Sequence, residues 1–190
     1  TPGAAFADIN NGSYTGTITI DVCGDSSEAG SAILNASGSG SASYTGVTIS
    51  PAGGAARTIS GSVAGALIDL NGAASVVIDG LNTGGNALTI ENSSTATAST
   101  IRFIADASTN TVQNCTIKGS NTGAASGTIF FSTGTATGNL NDTIAGNAIT
   151  SSGANLRVNA IYSSGSFFNT GIAITNNDIQ DYFSATASSN

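Results

Sequence analysis

Short apolar runs recur along this chain at intervals of about thirty residues. Four runs align on Ile78, Val112, Ile144 and Ile174, which are 34, 32 and 30 residues apart. Within each run every second residue is apolar, an alternation typical of a β-strand with one buried face. In the last three copies the run is followed by Asn or Gly, residues that readily adopt a left-handed conformation and turn the chain sharply.

A recurrence of this length indicates a solenoid in which each repeat forms one coil. After the turn, the next apolar residue (Ile117, Ile149 or Ile179) points inward from a second face, and a third short strand closes the coil. One coil buries too thin an apolar layer to fold alone, whereas coils stacked at about 4.8 Å form a continuous core. The predicted fold is all-β, a right-handed single-stranded parallel β-helix of about six coils. A β-sandwich also has short strands, but it does not predict the thirty-residue repeat.

The N-terminal segment departs from the repeat. Residues 4–9 are the one plausible helical stretch, and residues 17–22 alternate as a strand. A short helix over the open end would protect the first coil, as capping elements do in solenoids. We expect one domain: an N-terminal cap at 1–16, the parallel β-helix at 17–183, and a tail or the start of the next coil at 184–190. We expect no equivalent cap at the C-terminal end.

Asparagines at equivalent turns of stacked coils can pair their side-chain amides in a ladder. The repeat predicts such a ladder between Asn114 and either Asn147 or Asn177.

Composition is consistent with a folded repetitive β-protein. The 27 Ser, 25 Thr, 25 Gly and 19 Asn make up about half of the 190 residues, and only 8% are charged. A disordered chain would be charge-rich and poor in β-branched residues. Here Thr, Ile and Val suit strands, while Gly, Asn and Ser suit turns.

Charge excludes two classes of partner. The net charge is −7, with no His and four basic residues, so the clustered Lys and Arg that bind phosphate are absent. We therefore expect neither nucleic-acid binding nor binding to an anionic membrane surface. Membrane insertion is not expected either, because no apolar run approaches the roughly 20 residues of a spanning helix. The scarcity of Lys and the abundance of Ser, Thr and Asn favour an extracellular setting.

The two cysteines, Cys23 and Cys115, would lie several coils apart, too far for a disulfide within the chain. Cys115 is expected to be a small buried hydrophobe. Pairing of Cys23 between chains is left open.

Five segments carry a family resemblance: SVVIDGLN, NTVQNCTIKGSN, SGTIFFSTG, NAIYSSG and GIAITNNDI. They resemble the pectin-lyase-like right-handed β-helix repeats of large surface proteins from Bacteroidetes-type bacteria. The resemblance implies the β-helix fold and a place at the bacterial cell surface. It also implies that further coils usually follow in such proteins.

Many β-helices of this kind cleave polysaccharides, so carboxylate pairs matter. In the predicted register no acidic column forms. Asp79 aligns with Gln113, Ala145 and Thr175, and Asp178 aligns with Thr116 and Ala148.

Other candidate groups have simpler interpretations. Arg102 and Arg157 could serve as lyase bases, but surface positions beside strands explain them better. Asp178 and Asp181 are interpreted as a solvated turn.

Three acids near the start, Asp21, Asp25 and Glu28, could hold a structural Ca²⁺. A turn rich in acidic residues explains them equally. We therefore predict no catalytic, cofactor-binding or metal-binding residue, and no cofactor beyond this calcium possibility.

Carbohydrate binding uses exposed aromatic rings, and the chain has six candidates: Tyr14, Tyr44, Tyr162, Phe167, Phe168 and Tyr182. The pair Phe167-Phe168, in a loop between strands, is the one most expected to be exposed. Asp142-Thr143-Ile144 matches a short bacterial O-glycosylation pattern. Thr-x-Thr motifs do not recur at the repeat spacing, which argues against ice binding.

Together these features predict a non-catalytic, structural or adhesive β-solenoid module of an extracellular bacterial surface protein. Its expected partners are further coils or copies of the same protein stacked end to end into a filament. The alternative is a polysaccharide-binding or polysaccharide-cleaving β-helix.

Overall fold

A computed structural model describes residues 1–81, 87–153 and 156–183. Helix α1 (Pro2–Asn10) precedes coil 1, which holds β1 (Thr15–Val22), β2 (Ser26–Glu28) and β3 (Ala32–Asn35). Coil 2 holds β4 (Ser43–Pro51), β5 (Arg57–Gly61) and β6 (Ala66–Asn71). Coil 3 holds β7 (Val76–Asp79), β8 (Leu88–Asn92) and β9 (Ser99–Ile104).

Coil 4 holds β10 (Thr111–Gln113), β11 (Cys115–Gly119) and β12 (Ile129–Phe131). Coil 5 holds β13 (Thr143–Ala145), β14 (Ala148–Ser151) and β15 (Ile161–Ser163). A sixth coil begins with β16 (Ala173–Thr175) and β17 (Asp178–Ile179). A 3₁₀ turn at Ala52–Gly54 lies in coil 2.

The strands form three parallel sheets, each with one strand from every coil. Sheet A runs β1-β4-β7-β10-β13-β16, sheet B runs β2-β5-β8-β11-β14-β17, and sheet C runs β3-β6-β9-β12-β15. Within the described residues there are five complete coils and two strands of a sixth. The predicted parallel β-solenoid with a helical cap is therefore confirmed, close to the expected six coils.

The predicted inward column is confirmed residue for residue. Val112 pairs with Ile78 on one side and Ile144 on the other, and Ile144 pairs with Ile174. The column extends to the first coil through Ile49. In order it reads Ile20, Ile49, Ile78, Val112, Ile144, Ile174. Because each member covers its neighbours, interior members are fully buried, whereas terminal Ile174 is 48% exposed.

Parallel columns line the other two sheets. On sheet B, Ile117 lies between Ile90 and Ile149. On sheet C, the stacked rings of Phe103 and Phe131 have centroids 4.6 Å apart. The three inner faces meet in one continuous apolar core.

The turn prediction holds, and Asn147 and Asn177 form the ladder, but the predicted member Asn114 is wrong: it makes the left-handed turn and donates its Nδ2 to Asp79. Asn114 and Asn176 have φ values of 54° and 55°, and Gly146 has φ of 65°, so these residues make the left-handed turn. The next position carries the ladder: Asn147 donates its N–H and Nδ2 to Oδ1 of Asn177, both at 3.0 Å. Cys115 occupies that position in coil 4 and donates its N–H to Asn147 Oδ1.

Helix α1 closes the N-terminal end of the core. Its Phe6 and Ile9 are buried in the core cluster, and Thr1 caps the helix through its hydroxyl. The helix also satisfies strand edges. Asn10 accepts from the N–H of Asn35 and donates to the Ile33 carbonyl on β3.

Helix α1, with nine residues, is the only helix longer than one turn in the described ranges. No helix in these ranges is long and apolar enough to cross a membrane.

Replacing Ile144 by Ala should destabilise the fold by about 2–4 kcal/mol, because it leaves a cavity between two coils that cannot collapse onto it. Urea unfolding followed by circular dichroism measures the change. Ile174→Ala is the matched control in the same column, and its half-exposed side chain should cost less than about 1 kcal/mol. Equal losses for both variants would contradict the stacked core.

Candidate interaction surfaces

The C-terminal coil edge exposes the apolar columns. β16 and β17 are the last strands of sheets A and B, with no further strand pairing beyond them among the described residues. Ile174 is 48% exposed and Ile179 is 46% exposed, while their neighbours Ile144 and Ile149 are fully buried. Unpaired strand edges of this kind are templates for another strand.

The N-terminal end is protected unevenly. Helix α1 packs mainly on β3, and Glu28 on β2 accepts from the N–H of Gly3 at 2.9 Å. The free edge of β1 has no pairing strand among the described residues. A groove between α1 and β1, about 300 Å³, is lined largely by apolar side chains: Ala5, Ile9, Tyr14, Ile18 and Ile20. It adjoins a concavity of about 670 Å³ around Val22 and Cys23.

A mixed polar and aromatic stripe crosses the outer face of sheet C. Arg102 pairs in register with Asp69 on one side and Phe130 on the other, and Phe130 pairs with Tyr162. Arg102 Nε and Nη2 donate to the two Asp69 oxygens at 2.9 and 2.6 Å. That hydrogen-bonded pairing raises the pKa of Arg102 despite its partial burial. The rings of Phe130 and Tyr162 lie 5.6 Å apart and are tilted by 45°. We call these four residues the sheet C stripe.

The expectation that Arg157 lies on the surface is wrong. Its side chain is fully buried, because the chain around Tyr182 bridges to Arg157 across the coil end. Its guanidinium nitrogens have no hydrogen-bond partner among the described residues, and desolvation lowers the pKa of the group. Arg102, by contrast, lies within β9, and its side chain is half-buried in the sheet C stripe.

The three calcium candidates serve separate structural roles. Asp25 accepts from the N–H of Thr58 at 2.8 Å, Glu28 accepts from Gly3, and the Asp21 side chain is exposed. Across the described ranges no three His, Cys, Asp or Glu side chains group in a way that could hold a metal ion.

The remaining acids near the C-terminal end are also used singly. Asp178 is exposed and accepts from Gln180, whereas Asp181 accepts from the Thr150 hydroxyl at 2.6 Å. The predicted alignments of Asp79 with Gln113 and of Asp178 with Ala148 are both present. No acidic column forms along either alignment.

Asp106 was not singled out by the sequence patterns, yet it organises a loop. Its carboxylate accepts the consecutive backbone N–H groups of residues 135–138, at 2.9–3.2 Å, and the hydroxyl of Thr135. Desolvation acts to raise the pKa of Asp106, but these hydrogen bonds outweigh it and hold the pKa well below its ordinary value. The carboxylate therefore fills a concave array of N–H groups, which is an anion site by geometry.

The candidate aromatics are divided between surface and interior. Phe168 is 89% exposed and Phe167 is 40% exposed, as expected of the loop pair, and Tyr14 is also exposed. Tyr44 is buried, and burial raises its pKa to about 12. Tyr182 donates its hydroxyl to Thr128.

Cys115 is buried as predicted, and desolvation strongly raises the pKa of its thiol, while Cys23 is exposed.

Asp142, in the O-glycosylation pattern, is fully buried. Its Oδ1 accepts from the N–H and Nδ2 of Asn110, both at 2.9 Å, while Oδ2 has no partner. Desolvation raises the pKa of Asp142 to about 7, against the opposing effect of the Asn110 hydrogen bonds. Asn110 fills the equivalent position one coil earlier and donates Nδ2 to the Ala73 carbonyl at 2.9 Å.

Comparison with known proteins yields no match, whether to a family model, to a curated protein or to a solved structure. The parallel β-solenoid is established by the structure itself. The pectin-lyase-like and Bacteroidetes-type parts of the resemblance remain predictions.

Asp142→Asn should stabilise the fold most above pH 7. The folded pKa of about 7 lies above the ordinary 3.8, so the wild-type carboxyl is favourable when protonated and its contribution is lost as pH rises from about 4 to 7. The gain at pH 8 over pH 4 should be of the order of 2–4 kcal/mol. Urea unfolding at both pH values measures it.

The matched control is Asp21→Asn, an exposed carboxylate that should change little at either pH. A gain from Asp142→Asn that is the same at pH 4 and pH 8 would contradict a buried, protonated Asp142.

Proposed function

We propose that this chain is a non-catalytic structural or adhesive β-solenoid module of an extracellular bacterial surface protein. It is extended through its C-terminal coil edge, either by further coils or by copies stacked end to end. The observation that carries this proposal is the asymmetry of the two ends. Helix α1 seals the core at one end, whereas Ile174 and Ile179 stand half-exposed at the other.

Energetics support extension at this edge. Fully burying an Ile side chain contributes about 1.5–3 kcal/mol relative to leaving it exposed. Two half-exposed Ile side chains and two unpaired strand edges therefore favour one more layer on β16 and β17. A solenoid without a terminal cap tends to associate for this reason.

The use of polar groups supports a scaffold rather than an enzyme. Asp106 and Glu28 accept backbone N–H groups, and Asp69 holds Arg102. Carboxylates committed to such bonds are poorly placed to exchange protons with a substrate. The low Lys content and the many Ser, Thr and Asn residues support an extracellular setting.

Light scattering over a range of concentrations should show this chain self-associating. The double variant Ile174→Lys/Ile179→Lys should weaken association at least about tenfold, because charge on a strand edge blocks strand addition. Phe168→Ser is the control: it removes the most exposed apolar side chain, away from the coil edge. A monodisperse monomer at every concentration would refute the stacking form of this proposal.

A second candidate function, polysaccharide binding, is supported by the sheet C stripe. Aromatic rings with an adjacent fixed guanidinium–carboxylate pair supply apolar stacking and directed hydrogen bonds to one ligand. Phe130 and Tyr162 are half-buried, so each ring leaves part of one face open to solvent.

A glycan array followed by affinity electrophoresis tests this candidate. Phe130→Ser should weaken any binding at least about tenfold, as expected of a central aromatic contact, whereas Phe168→Ser should not. If Phe168→Ser alone weakens glycan binding, the binding site lies outside the sheet C stripe. Silence on the array, with no unsaturated-uronate absorbance, would retire both binding and cleavage.

A further inference from the structure

The first and last strands of sheet A carry the same inward column. Ile20 on β1 begins it and Ile174 on β16 ends it. Because every internal junction places like positions in register, the residue facing each end position is defined by counting along the strand. Thr175 therefore corresponds to Asp21. At the following corner sheet B aligns Asp178 with Asp25, because coil 1 has one more residue between the two sheets than coils 4 to 6.

The free edge of β1 has room for another strand. The groove beside it is walled by Ala5 and Ile9 of α1 and floored by the half-buried Ile18 and Ile20. Eight residues of β1 offer an edge with no pairing strand in the described part of the chain. Such an edge with an apolar groove suits strand addition.

We propose that this edge is the acceptor for β16 of a second copy, added in parallel with Ile174 over Ile20 and Thr175 beside Asp21. The inference rests on the proposed end-to-end stacking and assigns its site and register. A second copy is the occupant because its β16 continues the column without interruption and supplies the apolar side chain that the groove accommodates. Helix α1 packs mainly on β3, so the junction is placed on sheet A and the adjoining corner.

The register has an electrostatic consequence. Asp25 and Asp178 belong to one column of sheet B, through Thr58, Thr89, Thr116 and Ala148. At the junction these two exposed carboxylates approach within a Debye length, about 10 Å at 0.1 M salt, and repel each other. Association should therefore strengthen with salt, and Asp178→Asn should strengthen it several-fold at low salt.

The decisive experiment reads the register by cross-linking. Parallel neighbours lie about 4.8 Å apart, within the Cα separation of about 4.4–6.8 Å that a disulfide spans. On a Cys23→Ser background, Asp21→Cys with Thr175→Cys should therefore yield dimers and longer ladders on mild oxidation, seen on non-reducing gels and reversed by reductant.

Folding of each variant is checked by circular dichroism. On the same Cys23→Ser background, Asp21→Cys with Ser166→Cys, an exposed residue off the edge, should not cross-link.

The outcomes separate the two proposals. Chains that stay monomeric in light scattering, at low and high salt, overturn the stacking itself. Chains that associate through Ile174 and Ile179 but do not cross-link between Asp21→Cys and Thr175→Cys leave the stacking intact and overturn this acceptor and register. Cross-linking at that pair, with stronger association of Asp178→Asn, supports the assignment.

Discussion

Coil-on-coil contact is the interaction on which the whole structure depends. No coil encloses its own inward side chains; each is covered by the equivalent residue above and below. Ile144 and Ile174 have the same chemistry and register, yet the first is fully buried and the second is 48% exposed, because only the first has a neighbour on both sides. Stability therefore accumulates by layers. At each end of the described solenoid the inward side chains lack a neighbouring coil on one side and need another element to cover them.

The polar residues inside this stack are arranged to keep the layers in register. Amide side chains at the coil corners bond to the backbone and side chain of the next coil, as Asn147 does with Asn177. Four described residues have buried side-chain atoms without a hydrogen-bond partner: Ser26 Oγ, Arg57 Nε, Asp142 Oδ2 and the three guanidinium nitrogens of Arg157. Burial of an unpaired charge is costly, so the Arg157 guanidinium marks a point where the stack tolerates a penalty.

The ends explain why a scaffold role fits better than a catalytic one. Most described carboxylates are occupied in holding loops, caps or strand partners, and the surfaces left unsatisfied are strand edges and apolar columns. These features favour addition of more β-structure. The sheet C stripe is the exception, since it combines rings, a guanidinium and a carboxylate on an outer face without an evident need in packing.

The sequence by itself determined the period, the inward columns and the left-handed turns, because a two-residue alternation and a thirty-residue repeat leave one way to bury Ile78, Val112, Ile144 and Ile174 together. It also predicted the short helix at residues 4–9, which in the structure spans Pro2–Asn10. Only the tertiary structure decided which asparagine after the turn joins the ladder, since that depends on where the side chain points once the left-handed residue has turned the chain. It likewise decided the burial of Arg157 and the loop wrapped around Asp106, because those contacts join residues from different coils through irregular segments whose path no periodic pattern encodes.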